Sequence, residues 1–148
     1  MNINNKIRLE FLSLSQNESF ARSVVACFAL QLNPSVAQIA DIKTAVSEAV
    51  TNSIVHGYPN GVGEIVLESE LLEDEIHINI FDNGVGIDNI NQALEPFYTT
   101  KPDEERSGMG FTIMKSFMDN VRVESEKGKG TKIFMVKKIL LSKTGVEC

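Results

Sequence analysis

Residues 63–87 read GEIVLESELLEDEIHINIFDNGVGI, and this stretch decides the fold. GEIVLESEL and EIHINIF each carry the alternation of a half-buried strand. Between them lies a short acidic turn, Leu72-Glu73-Asp74, so the two strands read as a hairpin. DNGVGI follows at once: an aspartate, then Gly84 and Gly86 on either side of Val85. Glycines spaced in this way let backbone pass close to a phosphate or a base. A plain strand-to-loop turn explains them as well.

Upstream, the chain predicts two helices. Ser35 with Gln38 has the spacing of a capping box and opens a helix expected to run to about His56. Ile39, Ile42, Val46, Ala49 and Val50 form its apolar face, with Gly57 as C-terminal cap and Pro59 beyond. Before it, Ser15 and Glu18 form a second capping-box pattern, opening a helix to about Leu32 that Pro34 ends. Phe20, Val24, Cys27, Phe28 and Leu32 recur on one face of this helix, which predicts a buried Cys27. KIRLEFL, residues 6–12, alternates as a strand.

Downstream, residues 88–109 are polar and interrupted by Pro96 and Pro102, which predicts mostly loop. A third helix is expected from Gly110 to about Asp119, then strands VRVESE and TKIFMVKKI joined by the turn KGKG. Four of the five strands thus fall into hairpin-like pairs. That order predicts an α+β domain over residues 1–148, with a mixed, mostly antiparallel sheet and helices packed on one face. A doubly wound fold would alternate strands and helices and does not fit.

Composition narrows the function classes. At 148 residues the chain is about one domain, and 43% apolar residues suit an ordinary globular protein. No apolar run approaches the ~20 residues that span a bilayer, and MNINNKIRLEF carries no secretory h-region. A cytoplasmic protein without a membrane role is expected. Cys27 and Cys148 lie in no metal-ligand spacing, and no disulfide is expected. A formal charge of −6 without a basic stretch disfavours nucleic acid and permits a basic protein partner.

Four places carry candidate chemistry. Glu48, Asn52 and His56 fall at i, i+4 and i+8, a polar stripe opposite the apolar face of the second helix. A carboxamide oxygen suits Mg²⁺, and a carboxylate suits a base; taken alone, the stripe reads more simply as a solvated face. Asp82 can accept the exocyclic amine of adenine, with Gly84 and Gly86 giving room for the ring. The loop FYTTKPDEERSGMG, residues 97–110, carries Thr99, Thr100, Lys101, Arg106 and Ser107 and ends in Gly108-Met109-Gly110 before a helix. Free N–H groups at a helix start make an anion site, and the two cations add to it. Gly128-Lys129-Gly130-Thr131 completes the set.

Together these boxes, in this order from residue 48 to 131, resemble those of the GHKL (Bergerat-fold) ATPases. The resemblance implies a Bergerat-type ATP-binding α/β sandwich, which agrees with the element order. LSQNESFAR, VSEAVTNSIVHGY, FYTTKP and ERSGMGFTIMKSFMDNV extend the likeness over nearly the whole chain to the anti-sigma serine kinases of sporulating bacteria. Carried onto this sequence, the resemblance implies ATP and Mg²⁺ as cofactors. Glu48 would be the catalytic carboxylate and Asn52 the Mg²⁺ ligand. Asp82, Gly84 and Gly86 would form the adenine box, with Thr131 as an adenine-side hydroxyl. Thr99, Thr100, Lys101, Arg106, Ser107, Gly108 and Gly110 would hold phosphate. Arg22 would contact a sigma factor. The implied partners are a sporulation RNA polymerase sigma factor, an anti-anti-sigma protein phosphorylated on serine, and a second copy in a homodimer. A kinase controlling a stress-response sigma factor, or a module that binds ATP without transferring phosphate, remains an alternative. Residues 139–148 carry no motif.

Overall fold

The computed structural model describes residues 3–87 and 110–139. Strand β1 (Ile3–Leu12) leads into helix α1 (Gln16–Ala29) and a short 3₁₀ turn (Leu30–Leu32). Helix α2 (Val36–Asn52) continues into a π-helical turn (Ser53–Gly57). Strands β2 (Glu64–Leu72) and β3 (Glu75–Asp82), helix α3 (Gly110–Phe117), and strands β4 (Asn120–Ser125) and β5 (Thr131–Lys138) follow.

The sheet has the order β1-β2-β3-β5-β4, and all four pairings are antiparallel. β5 therefore inserts between β3 and β4. The predicted α+β architecture holds, without the parallel pair that a mixed sheet would contain among the described strands. The alternation in 63–81 accounts for the central hairpin. Ile65, Leu67 and Leu71 of β2 and Ile76, Ile78 and Ile80 of β3 all point to the helix side and are buried. Ile133 and Met135 extend that layer on β5. Above them sit Ile42, Val46, Ala49 and Val50 of α2, as periodicity predicts, joined by Ala45, while the expected Ile39 is only half-buried; Phe111 and Met114 of α3 complete the layer. Burying each such aliphatic side chain stabilises by roughly 1.5–3 kcal/mol.

The capping box of α2 forms as the spacing predicts: Gln38 N–H donates to Ser35 Oγ at 3.1 Å, and Ser35 N–H to Gln38 Oε1 at 2.9 Å. The one expected at Ser15 does not. Ser15 is already helical (φ −60°, ψ −29°) and its side chain makes no cap hydrogen bond. The Glu18 carboxylate is taken instead by Arg22 Nη1 at 2.9 Å.

The buried face of α1 is also displaced from expectation. Ala21, Val25, Phe28 and Ala29 are buried, whereas Phe20 is 52% exposed and Cys27 is exposed. Small residues at 21 and 29 let α1 approach α2 closely, so the contact face follows the alanines rather than the larger side chains. Asn33 then takes a left-handed conformation (φ 54°), and Pro34 follows.

Candidate functional site

The polar residues converge where β3 ends and β5 begins. Asp82 is the last residue of β3 and stands opposite Thr131, the first of β5. Both are buried, at 5% and 4% exposure. An ionised carboxylate so placed requires donors, and it has them. Gly84 N–H donates to Oδ1 at 2.9 Å, and the Ser53 hydroxyl donates to Oδ2 at 2.8 Å. The Thr131 backbone N–H adds a third. Burial raises the Asp82 pKa above its ordinary value of 3.8, and these hydrogen bonds oppose the rise. A carboxylate has about four acceptor sites. The three donors among the described residues leave one for a further donor such as an exocyclic amine, so the residue fits the base of a nucleotide.

The π-helical turn brings Ser53 to Asp82. In α2 the chain closes i to i−4, but here Tyr58 N–H reaches Ser53 O at 3.1 Å, five residues back. π-turns of this kind recur at functional sites. The widened turn presents Gly57 O to Val85 N–H at 2.9 Å, fastening DNGVGI to the end of the helix. Tyr58 fastens it again, since its hydroxyl accepts from Asn83 N–H at 2.7 Å and donates to Glu64 O at 2.7 Å. On the other side Gly128 N–H donates to Val85 O at 2.6 Å.

This packing explains two glycines directly. A Cβ on Gly84 would lie 2.0 Å from Gly57 O, and one on Gly130 would lie 2.1 Å from Asp82 O. Gly86 is equally tight, 2.1 Å from Glu126 O. The room expected for a base ring at Gly84 and Gly86 is thus also occupied by the protein's own backbone.

The stripe Glu48, Asn52 and His56 is half-buried throughout, not a fully solvated face. Ser53, the residue after Asn52, touches Asp82. Among the described residues no group of three or more His, Cys, Asp or Glu could hold a metal ion. Mg²⁺ binds few protein oxygens and completes its shell with waters and phosphates. The Asn52 carboxamide oxygen is a donor of the right kind.

Gly110 is buried and begins α3, as the helix expectation required. Thr99, Thr100, Lys101, Arg106, Ser107 and Gly108 lie outside the described residues. Arg22 lies apart from Asp82, on α1, where Nη1 reaches Glu18 and also Ser47 Oγ on α2 at 3.1 Å. Its side chain is 36% exposed, leaving part of the guanidinium toward solvent.

Comparison with known proteins places the chain in a family. Residues 13–137 match the histidine kinase-like ATPase domain family. The anti-sigma F factor of Clostridium acetobutylicum is 57% identical over 139 residues, covering 94% of this chain and 97% of that one. The chain belongs to the anti-sigma F factor family. Its likeness extends to the anti-sigma F factor of Clostridium perfringens strain SM101, 56% identical over 93% of this chain and 99% of that one. The family member of Caldanaerobacter subterraneus is 55% identical over 94% and 97%. Among solved structures, the RsbU and RsbW domains of a Mycobacterium tuberculosis protein superpose with a TM-score of 0.66. At 17% identity over 92% of this chain and 32% of that one, this match speaks to the fold alone.

Three residues of this site were not singled out in the sequence. Ser53 and Tyr58 carry no periodic signal, because both act through a turn that departs from α-helical spacing. Ser125 offered a faint one. It is a hydroxyl on the inward alternation of β4 after Val121 and Val123, and it faces Thr131 in the pairing.

Proposed function

We propose that this chain binds Mg-ATP at the Asp82 end of the sheet and uses it in two ways. It holds a sporulation sigma factor of the sigma F type inactive, and it phosphorylates a serine of the corresponding anti-anti-sigma protein. The observation that carries the ATP reading is Asp82: a buried carboxylate, held by donors on three sides, with acceptor capacity left, and tied through Ser53 to the end of the helix that carries Asn52. Identity of 55–57% to anti-sigma F factors supports the sigma F reading over one in which a stress-response sigma factor is the partner.

In this reading Asp82 accepts the adenine amine and Thr131 lies beside it. Asn52 holds Mg²⁺, which neutralises phosphate charge when bound. The N–H groups at the start of α3, together with Thr99, Thr100, Lys101, Arg106, Ser107, Gly108 and Gly110, cradle the phosphates. Phosphoryl transfer has a loose transition state, so positioning and charge neutralisation dominate. The substrate serine oxygen forms the new bond to the γ-phosphorus while the bond to the β–γ bridging oxygen breaks, and ADP leaves with that electron pair. Glu48 orients the serine hydroxyl and takes its proton, a contribution typically worth about 10²–10⁴-fold. Arg22, partly exposed on α1, contacts the sigma factor, and the chain acts as a homodimer.

The test is transfer of label from γ-labelled ATP to the anti-anti-sigma protein. Wild type transfers; Glu48→Gln binds ATP and transfers at least about 10²-fold more slowly. Full ATP binding with no transfer by wild type would leave a binding module in place of a kinase.

A further inference from the structure

Ser125 closes β4 opposite Thr131, and its hydroxyl makes three contacts. Ile87 N–H donates to it at 2.8 Å, Gly130 O lies at 2.8 Å, and Thr131 Oγ1 lies at 2.8 Å. A serine hydroxyl has one proton and two lone pairs, so these contacts saturate it. Ile87 N–H can only donate and takes one lone pair. The Gly130 carbonyl can only accept and takes the proton. Gly130 is buried, and a buried carbonyl left without a donor is costly. One arrangement remains for the third contact: Thr131 donates its proton to Ser125.

That arrangement polarises the strand end. The Thr131 hydroxyl spends its proton on β4 and keeps only lone pairs to offer. Opposite it, Asp82 is a carboxylate, and the one hydroxyl proton against it among the described residues, from Ser53, is already committed to Oδ2. Among the described residues, Thr131 Oγ1 and Asp82 thus form a floor of acceptors with no spare hydroxyl donor.

We propose that Ser125 is a specificity-determining positioning residue. By fixing the direction of the Thr131 proton, it makes this end of the sheet select a purine with an amine at position 6 over one with a carbonyl there. Inosine presents a carbonyl oxygen where adenosine presents an amine, and a fixed acceptor opposes it. A Thr131 hydroxyl free to rotate would donate to that oxygen. The inference rests on the ATP-binding reading above and extends it to residues of β4 that need not touch the nucleotide.

The experiment is calorimetric titration of the full chain with Mg-ATP and with Mg-ITP, comparing wild type with Ser125→Ala, Ser125→Cys and Ser125→Thr. Wild type is expected to prefer ATP by at least about tenfold. In Ser125→Ala the ATP/ITP ratio is expected to shrink about three- to tenfold, with ITP gaining relative to ATP. Ser125→Thr keeps the hydroxyl and is expected to keep the ratio. A loosened strand end weakens both nucleotides together, so the ratio within one variant separates specificity from structural damage. If Ser125→Ala does not fold, Ser125→Cys, with a weak thiol in nearly the same volume, decides by the same ratio. An unchanged ratio in the folded variants, with both affinities falling equally, overturns the inference and leaves ATP binding standing. Wild type that binds neither nucleotide overturns both.

Discussion

Along β3 the inward positions Ile76, Ile78 and Ile80 are wholly buried among hydrocarbon, whereas the next inward position, Asp82, is buried among hydrogen-bond donors. Strand geometry, sheet face and helix cover are shared. The central strand is stabilised by excluding water from apolar surface. The strand end bears the desolvation of a carboxylate and offsets it with hydrogen bonds, an arrangement with little net gain in stability. An apolar residue at 82 would leave the Ser53 hydroxyl and the Gly84 and Thr131 N–H groups without an acceptor, so the aspartate and its donors form one unit, and the acceptor capacity left over is what the strand centre lacks.

The largest effect is expected where packing is removed. Ile78→Ala should destabilise the protein by about 2–5 kcal/mol through lost burial and the cavity left behind. Denaturant unfolding measures this; a loss under about 1 kcal/mol would mean that the sheet centre is not the core.

The next test contrasts two glycines of one turn. Gly128 and Gly130 both have positive φ, 82° and 85°. Nothing lies within 4 Å of a Cβ added to Gly128, but Gly130 faces Asp82 O at 2.1 Å. Gly128→Ala should cost about 1–2 kcal/mol of left-handed strain. Gly130→Ala should cost about 2–4 kcal/mol, because the backbone of β3 must also move. Equal losses in thermal unfolding would show that the strand-end contact is not tight.

A smaller effect should appear with pH. Because burial raises the Asp82 pKa, the folded chain holds the Asp82 proton more strongly than the unfolded chain. Its relative contribution to stability is therefore full below the ordinary value of 3.8 and is lost as pH rises through the folded value. Nucleotide affinity runs the opposite way, since the protonated acid has lost an acceptor for the adenine amine. Acidification through that window should weaken ATP binding by about tenfold in wild type and much less in Asp82→Asn. Parallel curves for the two proteins would detach Asp82 from the base.

The sheet centre was legible in the sequence because alternation is local. GEIVLESEL and EIHINIF fixed the inward faces of β2 and β3, and the Ser35–Gln38 spacing fixed the start of α2. The face of α1 was not legible, because periodicity weights Phe20 and Cys27 above the alanines whose small size sets helix approach. The Ser15 cap does not form because Ser15 is itself helical and Glu18 pairs with Arg22 one turn further along the same helix. At the site, Asp82, Asn52, Glu48 and Thr131 stood out by residue type and order. Ser53, Tyr58 and Ser125 reach partners 29, 25 and 38 positions away, at Asp82, Asn83 and Ile87. Such pairings depend on strand register and on a π-helical turn, neither of which a local pattern contains.

The most direct measurement is the affinity for Mg-ATP of wild type and Asp82→Asn, taken with the unfolding free energy of each unliganded protein. Asp82→Asn is expected to lose about tenfold or more in ATP affinity while its unliganded stability changes by no more than about 1–2 kcal/mol. An Asp82→Asn protein that binds ATP as tightly as wild type would contradict that expectation.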